Sequence, residues 1–360
     1  MINGSFNNIR IDGIATVVPR NKEDIFEKYA DLFGEASVKQ FVKTVGVKER
    51  RVAKEKQTSS DLAYIAAEKI IKHKNINKDD IGILIFVTQT PDYRIPATAC
   101  VLHKRLGLSK NCIAYDINLG CSGYVYGLHT ICSLLQSSDT NIALLCVGDT
   151  SNKGIAPNDK SAAMLFGDSG SATLLKKELN APAITTGYMT DGNGFKAIII
   201  SAGAYRNREC SHERTIWSDG NERSDYDLYM NGVDVFSFTI SEVPDMIKQF
   251  LVNANDIYDA YMFHQANLFI LKQLIKLCRL PKEKVHISMD RYGNTSVTSI
   301  PLTISDRYGK DERDSEVSIF ACGFGIGLSW GVCSFKVRPS DILSIEESDE
   351  YYEDGEVSHV

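Results

Sequence analysis

Four short segments of this sequence carry residue types that do chemistry. In "DINLGCSGYVYGL" a strand-like run ends, Gly120 permits a tight turn, and Cys121 opens a helical pattern. A thiol at a helix N-terminus feels the positive end of the dipole, which favours the nucleophilic thiolate. A free Cys is more often simply buried, so the setting rather than the residue type singles out Cys121 among nine cysteines. In "FHQANLFIL" three polar residues, His264, Gln265 and Asn267, interrupt an apolar run. His264 ends a strand and Asn267 begins a helix. A lone His in such a place is usually a hydrogen-bonded core residue. Two amides within three residues need partners of their own, and catalytic sites supply them. In "DRYGNTSVTSIPL" Gly293 suits a turn with positive φ, and Asn294 follows at a helix start, where Asn is also a common cap. The fourth segment, "GFGIGLSWG", is glycine-rich between strands. No Lys-Ser/Thr follows it, so it is a poor phosphate loop. It suits a backbone pressed against a reacting carbonyl, with an N–H as oxyanion donor. A Cys nucleophile, a His, an Asn and a close glycine backbone are the parts for thioester acyl transfer.

Strands alternating with helices would position these residues. "DLAYIAAEKIIKHKN" has apolar residues at helical spacing, with Ser60 before Asp61 as an N-cap. "IGILIFVTQT", "CIAYDINLG", "NIALLCVGD" and "SATLLKK" read as strands. "PATACVLHKRLGL", with Pro96 in its first turn, and "SGYVYGLHTICSLLQSS" read as helices. The second half repeats the rhythm. "VDVFSFTISEVPDMIKQFLVNAN", "LFILKQLIKLCRL" and "SVTSIPLTISDRYG" are helical, "IYDAYMF" and "VHISMD" are strands, and "EVSIFACGFGIGLSWGVCSFKV" is a strand, a glycine turn and a strand. This alternation predicts an α/β fold of layered helices and sheets. "MLFGDSGSATLL" and "ACGFGIGLSWGVCSF" echo each other and suggest two similar halves meeting near residues 175 to 185.

The composition sets limits on function. Hydrophobic content of 43% with 24% charged residues is ordinary for a globular protein, and 360 residues exceed one usual core. No apolar run reaches the length that spans a bilayer. The N-terminus has no basic segment followed by an apolar stretch, so a cytoplasmic protein off the membrane is expected. None of the nine cysteines forms a CxxC pair, and no His/Cys spacing predicts a metal. The formal charge of -6 comes from "DILSIEESDEYYEDGEVSHV", read as a solvated, mobile tail. The remainder has no Lys/Arg cluster, which argues against nucleic-acid binding.

The chain resembles the thiolase-fold condensing enzymes, most closely the β-ketoacyl-acyl-carrier-protein synthase III family. The resemblance covers about residues 8 to 337 and rests on "VGVKERRVA", "LGCSGYVYGL", "LFGDSGSA", "FHQAN", "GNTS" and "GFGIGLSWG". It implies a five-layer αβαβα arrangement of two similar halves, usually a homodimer. Residues 1–180 would hold the nucleophilic Cys and 181–338 the His and Asn, followed by the acidic tail 339–360. By resemblance, Cys121 is acylated by a thioester of acyl carrier protein or coenzyme A. Its own N–H and one from the turn Gly325, Ile326 and Gly327 stabilise the oxyanion. His264 and Asn294 then donate hydrogen bonds to a malonyl thioester as carbon dioxide leaves, and the enolate attacks the acyl-Cys. Phosphopantetheine carries the substrates, so no further cofactor is expected.

Several positions depart from the family pattern. The Trp and Arg that sandwich the coenzyme A adenine align with Gln40 and Thr44. A basic residue two after HQAN is Phe269, a Lys before the HQAN helix is Ser237 while Lys276 is retained, and a pocket Phe contributed across the dimer is Ile95. Gln265, Asn267, Ile95 and Phe269 are the expected substrate contacts, and the coenzyme A and carrier-protein contacts should be atypical. The stretch "AGAYRNRECSHERTIWSDGNERSDYDLYM" reads as a long polar loop region. The alternatives are transfer of the acyl group to an amine or hydroxyl, and a non-catalytic scaffold. A cysteine protease is disfavoured by the HQAN and GNTS context. Carbon dioxide release coupled to carbon–carbon bond formation separates the first alternative from condensation.

Overall fold

The computed structural model describes residues 1–254 and 257–355. The chain begins with β1 (Ile2–Phe6), β2 (Ile9–Pro19), β3 (Lys22–Asp24), α1 (Ile25–Phe33), α2 (Glu35–Val45) and β4 (Glu49–Arg51). It continues through α3 (Ser59–His73), β5 (Ile81–Val87), α4 (Thr98–Leu106), β6 (Ile113–Ile117) and α5 (Gly123–Ser137). β7 (Ile142–Asp149), β8 (Ser169–Lys177) and β9 (Ile184–Thr190) follow. Two short ribbons pair β10 (Ile198–Ile199) with β13 (Tyr229–Met230), and β11 (Thr215–Ile216) with β12 (Glu222–Arg223). The remainder is α6 (Gly232–Ala254), β14 (Ala260–Phe263), α7 (Leu268–Leu277), α8 (Met289–Tyr292), α9 (Ser299–Tyr308), β15 (Val317–Gly325), β16 (Ser329–Val337) and β17 (Glu346–Ser348).

The elements stack as five layers. One sheet runs β17-β2-β8-β7-β5-β6 and the other β1-β9-β16-β15-β14. β5 lies parallel to both β6 and β7. Its apolar run has no polar alternation because both faces are covered. α3 and α4 pack on the outer face of the first sheet, and α6 packs on the outer face of the second with α7 beside it. α5 and α9 lie between the sheets. The central core joins both inner faces to these two helices through Val87, Leu145, Val125, Leu128, Ile300 and Ala321. This is the thiolase-like αβαβα architecture.

Several local expectations change. α3 is capped by Thr58 rather than Ser60, because Asp61 reaches back to the Thr58 N–H (2.7 Å) in a capping box. α4 starts at Thr98, past Pro96, because Asp116 of β6 accepts from the N–H groups of Thr98 and Ala99 (2.6 and 2.7 Å). "VHISMD" is not a strand. Only Val285 bridges to Tyr261, and the Ser288 N–H is taken by Gln265 Oε1 (3.0 Å), which draws the chain off the sheet edge into α8. The polar region near residue 215 is an ordered arm, clamped by the buried Arg223–Asp159 ion pair. The helical expectation for "VDVFSFTISEVPDMIKQFLVNAN" holds through Ala254, and its last residue lies outside the described residues.

The two ends of the chain revise the domain boundaries. β1, placed with the first half, is a strand of the second sheet, and β17, placed in the tail, pairs with β2 of the first. The acidic stretch is bound as far as Asp354. Arg105 pairs with Asp354 (2.9 Å), the Gln57 amide donates to the carbonyls of Ser348 and Glu350, and Tyr352 packs edge-on against Tyr64. Basic and amide groups on this face match the charge that read as solvated in the sequence. Residues 356–360 lie outside the described residues.

Candidate active site

Cys121 lies in the turn between β6 and α5, one residue before the Ser122 N-cap. Its residue is 6% exposed. The Ser296 hydroxyl and the N–H groups of Cys121 and Ile326 lie on the side of the sulfur and favour its charged form. Burial, then the Asp149 carboxylate, push the thiol up to about 12 against those three contacts. Burial thus works against the thiolate that the helix dipole was expected to favour. The β15–β16 turn presses directly on this residue. A Cβ on Gly325 would stand 2.6 Å from Cys121 Cβ and 3.0 Å from its sulfur. Of the three residues expected at the oxyanion site, Gly325 allows this approach, the Ile326 N–H lies on the side of the sulfur, and Gly327 turns the chain at φ +137.

His264 follows β14 directly, and its N–H donates to the Cys322 carbonyl (2.8 Å). The ring stands edge-on to Phe324, with Nδ1 3.1 Å from Ser299 Oγ, and it also lies against the Ser296 carbonyl. Burial pushes its pKa down to about 3, so the imidazole is neutral. Asn294 follows Gly293, whose φ of +70 fits the expected turn. Asn294 is fixed on both sides of its backbone: its N–H donates to the Leu165 carbonyl (2.9 Å) and its carbonyl accepts from Gly167 N–H (3.0 Å). This is why "LFGDSGSA" and "GNTS" go together. The Asn294 Oδ1 accepts from the Ser296 N–H (2.9 Å), which leaves the Nδ2 protons as the amide's donors.

Two distant segments thus approach the turn that carries Asn294: Cys121 lies near the Ser296 hydroxyl, and His264 reaches the Ser296 carbonyl through the Ser299 hydroxyl, while Asn294 holds the Ser296 N–H two residues on. Ser296 itself has φ +49, a conformation uncommon for a residue with a side chain and one that clusters at functional sites. The sequence reading used "GNTS" only for its Asn. The signal for Ser296 was the Asn-x-Ser spacing, which lets an Asn side chain accept from the N–H two residues on. Ser299 and Asp149 were also missed. Asp149 ends the buried strand β7, a place where an Asp alone carries little signal.

The expected substrate contacts divide. Gln265 is buried, and its amide is used inside the protein: Nε2 donates to the Phe263 carbonyl (2.9 Å) and Oε1 accepts from Ser288 N–H. Asn267 caps α7 by accepting from Ile270 N–H (2.7 Å). Both hold the segment that carries His264 rather than reach for substrate. Phe269 is exposed and stacks on Phe236 (5.4 Å). Ile95 is 81% exposed on the loop before α4. Beside α7 opens a cleft of about 420 Å³, lined by Lys43, Gly46, Lys48, Leu268, Met289 and Asp290. All nine cysteines are free. Among the described residues no three His, Cys, Asp or Glu side chains are grouped as a metal site, and no helix is long and apolar enough to cross a membrane.

Comparison with known proteins follows the same segments. A family profile described as 3-oxoacyl-[acyl-carrier-protein (ACP)] synthase III matches residues 115–192, and its C-terminal counterpart matches residues 249–337. A beta-ketoacyl-[acyl-carrier-protein] synthase III of Clostridioides difficile is 32% identical, covering 90% of this chain and 97% of its own. One from Rhodopirellula baltica is 30% identical over 92% of this chain and 99% of its own. The crystal structure of a 3-oxoacyl-(acyl-carrier protein) synthase from Burkholderia xenovorans LB400 superposes with a TM-score of 0.90 at 36% identity, covering 96% of this chain and 99% of that one.

Proposed function

The chain belongs to the 3-oxoacyl-[acyl-carrier-protein] synthase III family of condensing enzymes, and from that premise we propose that Cys121, His264 and Asn294 are its reacting groups. The observation that supports this reading is that the β15–β16 turn lies against Cys121 and Phe324 against His264, while Ser299 links His264 to the turn that carries Asn294.

An acyl thioester, borne on the phosphopantetheine of a carrier protein or of coenzyme A, transfers its acyl group to the Cys121 sulfur. The Cys121 and Ile326 N–H groups, which lie on the side of that sulfur, receive the oxyanion of the tetrahedral intermediate. A malonyl thioester then takes the place of the departed thiol. Asn294 Nδ2 and the neutral His264 Nε2–H donate to its thioester carbonyl. Loss of carbon dioxide leaves an enolate, which attacks the acyl carbon and returns the sulfur. A neutral imidazole suits this role because the charge it stabilises develops only in the reaction. The finer assignment is therefore an acyltransferase that forms a carbon–carbon bond. No cofactor beyond the phosphopantetheine is required.

Gln40 and Thr44, exposed and bonded to each other on α2 (3.0 Å), offer an adenine neither an aromatic face nor a charge. The cleft beside α7 is instead lined by Lys43 and Lys48, together with Asp290, and would meet an arriving phosphate with charge. This supports an atypical carrier contact. Transfer to an amine or hydroxyl has no observation in its favour.

The test supplies an acyl thioester and malonyl carrier protein and follows carbon dioxide together with the 3-oxoacyl product. One carbon dioxide per 3-oxoacyl thioester is expected from the wild type and none from Asn294→Ala. Product formed without carbon dioxide would overturn the reading.

A further inference from the structure

The turn between β15 and β16 leaves Ile326, Gly327 and Leu328 outside the strand ladder, which closes at the Gly325–Ser329 pair. Peptide groups in such a turn must find partners elsewhere. Leu328 finds them in Asp191, just past β9, through two backbone hydrogen bonds of 2.9 Å. The Ile326 carbonyl finds one in a side chain: Ser329 Oγ donates to it (2.7 Å). Ser329 Oγ in turn lies 2.7 Å from Ser122 Oγ, 207 residues away in the sequence. A hydroxyl has one proton, and that of Ser329 is engaged by the Ile326 carbonyl. The Ser122 hydroxyl is therefore the donor in the second bond. The two serines are 1% and 3% exposed, so neither has bulk water as an alternative partner. The residue directly after Cys121 is thus hydrogen-bonded, through one oxygen, to the turn that carries Ile326.

The two backbones also touch. A Cβ on Gly323 would stand 2.9 Å from the Cys121 carbonyl oxygen and 3.0 Å from Ser122 Cα, and one on Gly325 would meet Cys121 itself. Glycine allows this approach but brings no side chain to lock it. We propose that Ser122 and Ser329 form a clasp that fixes the spacing between the Cys121 and Ile326 N–H groups, so that both donate to one oxyanion. The inference deepens the proposed function and rests on those two groups receiving that charge. An oxyanion donor is effective when it is set in place before the charge develops. Here the two donors come from distant segments, and a small drift of one against the other weakens the pair. Both serines are positioning residues, since their protons are used within the clasp.

This role has a kinetic signature. The acyl carbonyl oxygen takes up charge twice, once as Cys121 is acylated and again as the enolate attacks the acyl-Cys. The clasp therefore serves both half-reactions, whereas the His264 and Asn294 donors serve the second alone. Two buried hydroxyls that only satisfied each other and a carbonyl would act on stability. Their loss would lower the melting temperature and leave the rate of the folded protein as it was.

The experiment follows single turnovers of the full-length protein by rapid quench and intact mass, well below each variant's melting temperature. An acetyl thioester is added over a range of concentrations, and malonyl carrier protein then removes the acetyl group. Ser329→Ala is expected to lower the saturating rate of both steps about tenfold, with the half-saturating donor concentration unchanged. Ser122→Ala keeps the Ser329–Ile326 bond and should lower both rates about threefold. The double variant should be no slower than Ser329→Ala, because Ser122 acts through Ser329. Wild-type saturating rates in Ser329→Ala overturn the inference. Slowing of condensation alone, or losses that multiply in the double variant, overturn it as well. Should Ser329→Ala not fold, Ser122→Ala decides: slowing of both steps supports the clasp, and wild-type rates overturn it. Failure of the wild type to acylate Cys121 is a separate result, which overturns the proposed function itself and takes this inference with it.

Discussion

The Ser299 hydroxyl has one proton and two acceptors within reach, the Ser296 carbonyl at 2.9 Å and His264 Nδ1 at 3.1 Å. With that proton on the carbonyl, the neutral ring carries its own proton on Nδ1 and offers a lone pair at Nε2. With the proton turned to Nδ1, Nε2 becomes a donor, the form that stabilises an enolate. Ser299→Ala is therefore expected to slow condensation about tenfold, the worth of one such hydrogen bond, while acylation of Cys121 proceeds as in the wild type. Single-turnover rates of the two half-reactions check this, and equal slowing of both would count against it. Cys121, His264 and Asn294 were legible in the sequence because each is a rare type in a constrained setting. Ser296, Ser299 and Asp149 were not, because serines in a turn and an Asp at a strand end are common. Their significance appears only when three distant segments are brought together. Burial was equally hidden, and it opposes the expected ionisation of the thiol.

At the scale of elements, α2 and α7 face each other across the cleft that holds Lys43 and Lys48. If the carrier's phosphate enters by this cleft, as proposed, it is read by charge rather than by stacking. Lys43→Glu with Lys48→Glu is expected to raise KM for the carrier-bound acyl donor about tenfold or more at low salt, with kcat unchanged, and the effect should shrink as salt rises. Steady-state kinetics at two ionic strengths measure this, and an unchanged KM would contradict it. Long periodic elements were readable: β5 and β7 by their apolar runs, α3 and α5 by helical spacing. Elements governed by a distant partner were not. The start of α4 is set by Asp116 of β6, and "VHISMD" leaves the sheet because Gln265 holds the Ser288 N–H.

In the whole molecule, Cys121 and His264 sit where loops leave the ends of β6 and β14, and Asn294 sits in the turn after α8. Binding at the carboxyl ends of strands is general for α/β sheets. The two-halved αβαβα architecture follows from α5 and α9 filling the space between the sheets. The exchanged ends, β1 in the second sheet and β17 in the first, were invisible to a linear reading, because neither strand is long or apolar. The central claim is that one sulfur, one imidazole and one carboxamide work as a single acyl-transfer site. Intact-protein mass spectrometry tests it most directly, with an acetyl thioester added first and malonyl carrier protein second. The wild type should gain one acetyl mass and lose it on the second addition, His264→Ala should gain the mass and keep it, and Cys121→Ser should gain none. Acetylation of the Cys121→Ser protein, or full turnover by His264→Ala, would contradict the account.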